Sequence, residues 1–211
     1  MYIQGSSSPS FMNALISNNT ADRGGGIYVA PLTSPTLTNL SIQYNAAQLG
    51  GGSYIVSGLW TNCTFQFNGA LLGGGIVLSK LVLAYPQSQE FSLSNCSFNF
   101  NYAHLYGGGT YIIHSDVDDD DDALATFYNT SYNHNLAVVG GAVYYAPVLQ
   151  TSVAFDTVLF NANQAHYGAA VFLSPYYRNS VCLSFLFSPL SSPFLPFSPS
   201  SPLSFPFSLL S

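Results

Sequence analysis

Charge is the scarcest commodity in this 211-residue chain: only 6% of its residues are Asp, Glu, Lys or Arg, against roughly a quarter in an ordinary soluble domain. Three basic residues in all leave no electrostatic footprint for nucleic acid, whose binding rests on neutralising phosphates with Lys and Arg. The net charge of −6 comes from Asp116 and Asp118 through Asp122, because Asp22, Glu90 and Asp156 are balanced by Arg23, Lys80 and Arg178. Three cysteines exclude a disulfide-dense scaffold. No charged segment leads into an apolar one at the start, so no secretory leader is visible. Six prolines within 183–211 exclude an uninterrupted membrane-spanning helix there. Long helix-period apolar patterns are missing throughout.

In place of these stands a repeat. The string beginning Asn45-Ala-Ala-Gln-Leu-Gly-Gly-Gly returns six times, with Asn-x-Ala at Asn19, Asn45, Asn68, Asn101, Asn135 and Asn163. Glycines follow each copy: Gly24, Gly25 and Gly26, then Gly50, Gly51 and Gly52, Gly73, Gly74 and Gly75, and Gly107, Gly108 and Gly109. The last two copies thin to Gly140 and Gly141, then Gly168 alone. Three residues before each Asn lies a large apolar residue: Ile16, Ile42, Phe65, Phe98, Tyr132 and Phe160. Six residues before it lie Asn13, Asn39, Asn62, Asn95 and Asn129, with Thr157 breaking the series. A nucleotide-binding loop occurs once and feeds a helix; these glycines recur and feed β-formers such as Ile27-Tyr28-Val29, so they read as structural turns.

A repeat of this length with about three short strands builds one coil of a parallel β-helix. The prediction is an all-β, single-stranded solenoid of about six coils over residues 1–178, ~25–30 Å long at the usual inter-strand spacing. The glycines would form a corner, the apolar residues an interior column, and the recurrent Asn a hydrogen-bonded ladder. Insertions near 80–90 and 115–124 would be loops on one side. Met1 aligns with the residue after a glycine triplet, as if the chain began in mid-coil of a longer protein, so leaders and anchors are not to be judged from it and the parent protein could be membrane-anchored. Residues 179–211 read as a disordered tail; from 183 on it holds only Leu, Ser, Phe and Pro, the composition a translated pyrimidine-rich tract would give. A retained intron, a mispredicted exon and a Pro-rich stalk all remain open.

Phe65-Gln-Phe-Asn68, Phe98-Asn-Phe-Asn101 and Phe160-Asn-Ala-Asn163, each followed by Ala and glycines, resemble the polymorphic outer-membrane protein repeats with their paired Phe-x-x-Asn and Gly-Gly-Ala-apolar motifs. The nearest match is Asn135 through Val143. The resemblance covers about residues 1–175 and implies a right-handed, pectin-lyase-like β-helix and the passenger of a cell-surface adhesin. The chain departs from the family in preferring Gly-Gly-Gly and in lacking a C-terminal barrel. The expected role is non-enzymatic, structural or adhesive, in a secreted or cell-surface protein (outer-membrane-associated if bacterial), with carbohydrate or a cell-surface protein as partner and no cofactor. The alternative is a degenerate polysaccharide-processing domain.

The chemistry-bearing residues are scattered. Asp22, Glu90 and Asp156 occupy different coils and repeat positions, unlike the carboxylate pair a glycosidase needs. The acidic run lacks the alternating ligands and glycine of a Ca²⁺ loop and reads as a solvated insertion. His104, His114, His134 and His166 show no ligand spacing. Cys63 and Cys96 share one repeat position on adjacent coils, where a disulfide and an unoxidised stacked pair are both open. Cys182 lies at the tail boundary. Asn18, Asn39, Asn62, Asn95 and Asn129 head Asn-x-Ser/Thr sequons; four share one repeat position, which is either an inward ladder or an outward row able to carry glycans. Tyr28, Tyr54, Tyr111, Tyr144 and Phe172 follow the glycine turns as an aromatic stripe, either a contact surface for the partner or packing under a loop.

Overall fold

The computed structural model describes residues 1–5, 8–81, 91–115, 124–146 and 152–174. The acidic run, Glu90, Arg178, Cys182, both insertion tips and the tail lie outside the described residues. Within them the chain is all-β without a helix, 23 short strands in four parallel sheets. Each sheet is crossed once per turn of the chain, which makes the fold a parallel β-helix. The third coil shows the circuit, through strands Gly58–Thr61, Thr64–Gln66, Gly69–Leu72 and Ile76–Leu81.

Four strands per turn correct the expected three. The additional strand is the segment between each ladder Asn and its glycines, extended in four coils; in the next two it shrinks to single bridges through Leu136, Val139, Gln164 and Tyr167. Ala46-Ala-Gln-Leu49 has no β-branched residue, so propensity gave no signal; pairing with the coils on either side makes the strand.

Register is set by side chains meeting their own kind. Phe65 pairs with Ile42 on one side and Phe98 on the other, and Trp60 with Leu37 and Leu93. A slip of one residue would turn each apolar column to solvent. The interior is a continuous core in which Trp60, Phe65, Phe98, Phe127, Tyr132 and Phe155 are fully buried. Phe65, Phe98 and Tyr132 stack nearly parallel, with centroids 4.8 and 4.6 Å apart, so one strand spacing also serves as a ring-stacking distance. Tyr132 is buried with its hydroxyl 2.9 Å from Thr110 Oγ1.

The glycine corner leaves little room for a side chain at any of its three positions between inner coils. Gly50 has φ +69, and a Cβ there would lie 2.1 Å from the Ser53 carbonyl oxygen. Gly51 has an ordinary φ, yet its Cβ would meet the carbonyl oxygens of Gly69 and Gly74 at 2.4 and 2.6 Å. Each coil sits with its corner directly on the next. The third position is as close between inner coils, where a Cβ on Gly52 would meet the Gly75 carbonyl oxygen at 2.5 Å, yet Ala142 holds it in the fifth copy, and Ala169 and Ala170 hold the second and third positions in the sixth. Among the described residues two buried side-chain polar atoms find no partner, Ser53 Oγ and the Trp60 Nε1 donor in the core. Trp60→Phe removes that donor while keeping an aromatic ring, so the change is expected to move stability by no more than about 1.5 kcal/mol, whereas Trp60→Ala should cost about 3–5 kcal/mol; denaturant unfolding of the two variants checks the contrast.

Candidate functional site: the Asn columns and the face beside them

Asn45, Asn68, Asn101 and Asn135 are buried and leave no polar atom unused. Asn45 donates one amide hydrogen to Asn68 Oδ1 at 3.1 Å and the other to the Ile16 carbonyl at 2.9 Å. Asn68 Oδ1 also accepts the Asn45 backbone N–H at 3.0 Å. The pattern continues from Asn68 to Asn101, Asn135 and Asn163 at 3.0, 3.0 and 2.9 Å, and Asn19 donates to Asn45 at 3.0 Å. Gln has one methylene too many for this spacing, and Asp would stack charges. These residues are structural.

The sequon Asn face outward, Asn39, Asn62, Asn95 and Asn129 in one row and Asn18 apart from it, at the position just before the ladder Asn19. Asn18, Asn39, Asn62, Asn95 and Asn129 are exposed and adopt φ between +46 and +58, the left-handed turn Asn tolerates best. Asn39 donates to Asn13 at 3.1 Å and Asn129 to Asn95 at 2.6 Å. An exposed turn is the geometry an Asn-linked glycan requires.

Between the rows lie Cys63 and Cys96, buried and unbonded. The Cys63 backbone N–H points to Cys96 Sγ at 3.4 Å, and the thiols face the carbonyls of Leu37, Thr61, Trp60 and Ser94. The hydrogen bond with Cys63 and then burial push the Cys96 thiol up, while that same hydrogen bond draws Cys63 down. In the pair the neutral thiol is favoured at both sulfurs, because each is buried and donates to two backbone carbonyls. Inert, protonated sulfurs are the result.

The stripe after the glycines turns mostly inward. Tyr54, Tyr111 and Tyr144 are buried and Tyr28 and Phe172 half-buried, packed with Val77 under Leu49, Leu72, Tyr106 and Val139. It is a second small core along the rod, so it offers no aromatic platform. The exposed aromatic series lies elsewhere, at the residue before four of the six ladder Asn: Tyr44, Phe67, Phe100 and His134, the other two being preceded by Asn18 and Ala162. Sequence reading passed over this position because its occupants differ in chemistry, although Φ-x-Φ-Asn was in plain view.

Asp22 is exposed on one coil and Asp156 half-buried on another. No group of three His, Cys, Asp or Glu able to hold a metal occurs among the described residues, and His104, His134 and His166 lie on separate coils. His104 accepts or donates one hydrogen bond, 3.0 Å from the Tyr102 hydroxyl. No helix of the described residues is long and apolar enough to cross a membrane. Scans against protein-family models, curated proteins and solved structures return no match.

Asn68→Leu would take from Asn45 the acceptor of its backbone and side-chain N–H, from the Ile42 carbonyl its amide donor and from Asn101 Oδ1 one of its two donors, and a loss of about 3 kcal/mol or more is expected; Asn68→Asp should lose more at pH 7 than at pH 3, where the carboxyl is neutral. Thermal melts at the two pH values decide. A thiol reagent should leave native protein unlabelled and label both cysteines in denaturant; rapid native labelling at neutral pH would refute the raised direction.

Proposed function

We propose that this chain is a non-enzymatic, structural or adhesive β-solenoid of a secreted or cell-surface protein. The observation that carries the reading is where the polar chemistry goes. Asn45, Asn68, Asn101 and Asn135, the most regular polar series, are consumed in holding the coils together, while Asp22, Asp156 and the histidines among the described residues stay dispersed over different coils. A hydrolase or lyase would need two or three such groups within reach of one bond, and fold alone confers no activity.

The same distribution supports an extracellular setting. An almost uncharged rod needs another source of solubility, and the outward Asn18, Asn39, Asn62, Asn95 and Asn129 turns could carry it as glycans. The resemblance to outer-membrane passenger repeats supports display on a surface, with carbohydrate or a surface protein as partner.

Expression through a eukaryotic secretory route, followed by deglycosidase treatment, tests the reading: a mass decrease at these sequons supports it, and secreted protein of unmodified mass counts against it. Measurable cleavage of a panel of pectic and other acidic polysaccharides would overturn the non-enzymatic reading in favour of the polysaccharide-processing alternative.

A further inference from the structure

The buried amide ladder contains one chemically labile link. Asn68 is followed by Gly69, the one Asn-Gly pair in the chain, whereas the other ladder Asn precede Thr20, Ala46, Tyr102, Leu136 and Gln164. The backbone nitrogen that follows an Asn can attack the side-chain carbonyl carbon. Gly favours that attack most, because no Cβ hinders the approach and the backbone turns freely into the geometry it needs.

The native fold withholds every atom of the reaction. Asn68 is 1% exposed. Its amide hydrogens go to the Ile42 carbonyl at 2.9 Å and to Asn101 Oδ1 at 3.0 Å, and its Oδ1 accepts the Asn45 backbone and side-chain N–H at 3.0 and 3.1 Å. The nucleophile is held too, since the Gly69 N–H donates to the Asn45 carbonyl at 2.9 Å. Swinging the side chain onto Gly69 would break all of these bonds together, so the reaction belongs to the opened chain. The glycine itself is not what the fold requires. Gly69 lies in register with Ala46 on one side and Tyr102 on the other, and it is not among the glycines with a left-handed φ.

We propose that Asn68 is a site of spontaneous deamidation which the ladder protects, so that time spent unfolded commits the chain to irreversible loss of the fold. The Gly69 nitrogen loses its proton and bonds to Asn68 Cγ, the Cγ–Nδ2 bond breaks and ammonia leaves. Water then opens the succinimide to aspartate or isoaspartate. At neutral pH neither product rebuilds the rung. A carboxylate has no hydrogen to give the Ile42 carbonyl or Asn101 Oδ1 and places a charge where none is paired; isoaspartate also adds a carbon to the backbone and shifts the strand after it. Chemical modification of the unfolded chain, and not the folding equilibrium alone, then sets the lifetime of the protein.

The test incubates the full chain at neutral pH in native buffer and in guanidinium chloride, and maps peptides by mass for exchange of the Asn68 amide NH2 for OH. Conversion at least tenfold faster in denaturant, with Asn68 ahead of every other Asn and the fraction refolding on dilution falling in step, supports the proposal. Gly69→Ala should slow conversion in denaturant at least tenfold and preserve the refolding yield. The rates are read by mass in unfolded chain, so this comparison holds whether or not the variant folds. Equal rates in the two buffers, a faster Asn elsewhere, an undiminished rate in Gly69→Ala, or converted chain that refolds in full yield overturns it.

Discussion

One amide column holds the coils in register. A backbone ladder fixes the distance between coils but tolerates a slip of two residues, since that keeps every side chain on its own face. The buried Asn series does not. Each side chain must find one particular carbonyl and one particular amide on the neighbouring coil, and a slip would strand several buried polar groups at ~1–3 kcal/mol each. The apolar columns of Phe65, Phe98 and Tyr132 and the glycine corner then stack where the amides put them. Satisfied from end to end, the column converts a generic stack of strands into one structure.

The same periodicity explains how much was legible. Whatever repeats once per coil shows in the sequence, so the glycine corner, the buried Asn and the apolar residue three before it could be read directly. The Ala46–Leu49 strand escaped notice because neighbouring coils, and not its own residues, make it extended. The facing of the Asn39, Asn62, Asn95 and Asn129 row was open because a turn residue has no strand alternation to follow; its left-handed backbone turns it out. The Tyr54, Tyr111 and Tyr144 stripe was visible as a pattern, but which side of the strand faced a lid depended on Leu72 and Tyr106 from another sheet.

A solenoid also constrains where function can sit. Each coil contacts only its neighbours, so residues far apart in sequence converge only if they share a repeat position, and a constellation of different chemistries is hard to assemble. Columns of one chemistry are easy. In this chain the inward columns are spent on stability: amides, thiols, rings and glycines all bond or pack to themselves. Only outward columns are free to meet a partner.

Of the outward columns, the Asn turns and the Tyr44–His134 rings differ in what they cost the fold. Asn is the residue a left-handed turn prefers, so its presence at Asn39 or Asn95 needs no further explanation than the turn itself. Rings at the same kind of turn do need one. Part of the compensation is internal, because stacked rings attract by about 0.5–1.5 kcal/mol a pair, yet a left-handed backbone costs of the order of 1–2 kcal/mol per residue, so stacking offsets the strain without exceeding it. A stability argument alone therefore leaves Tyr44, Phe67 and Phe100 no better than Asn at these positions. What distinguishes them is that they bond to one another from coil to coil: the rings stack face on face at the spacing of the strands and turn their edges outward beside a row of self-paired amides.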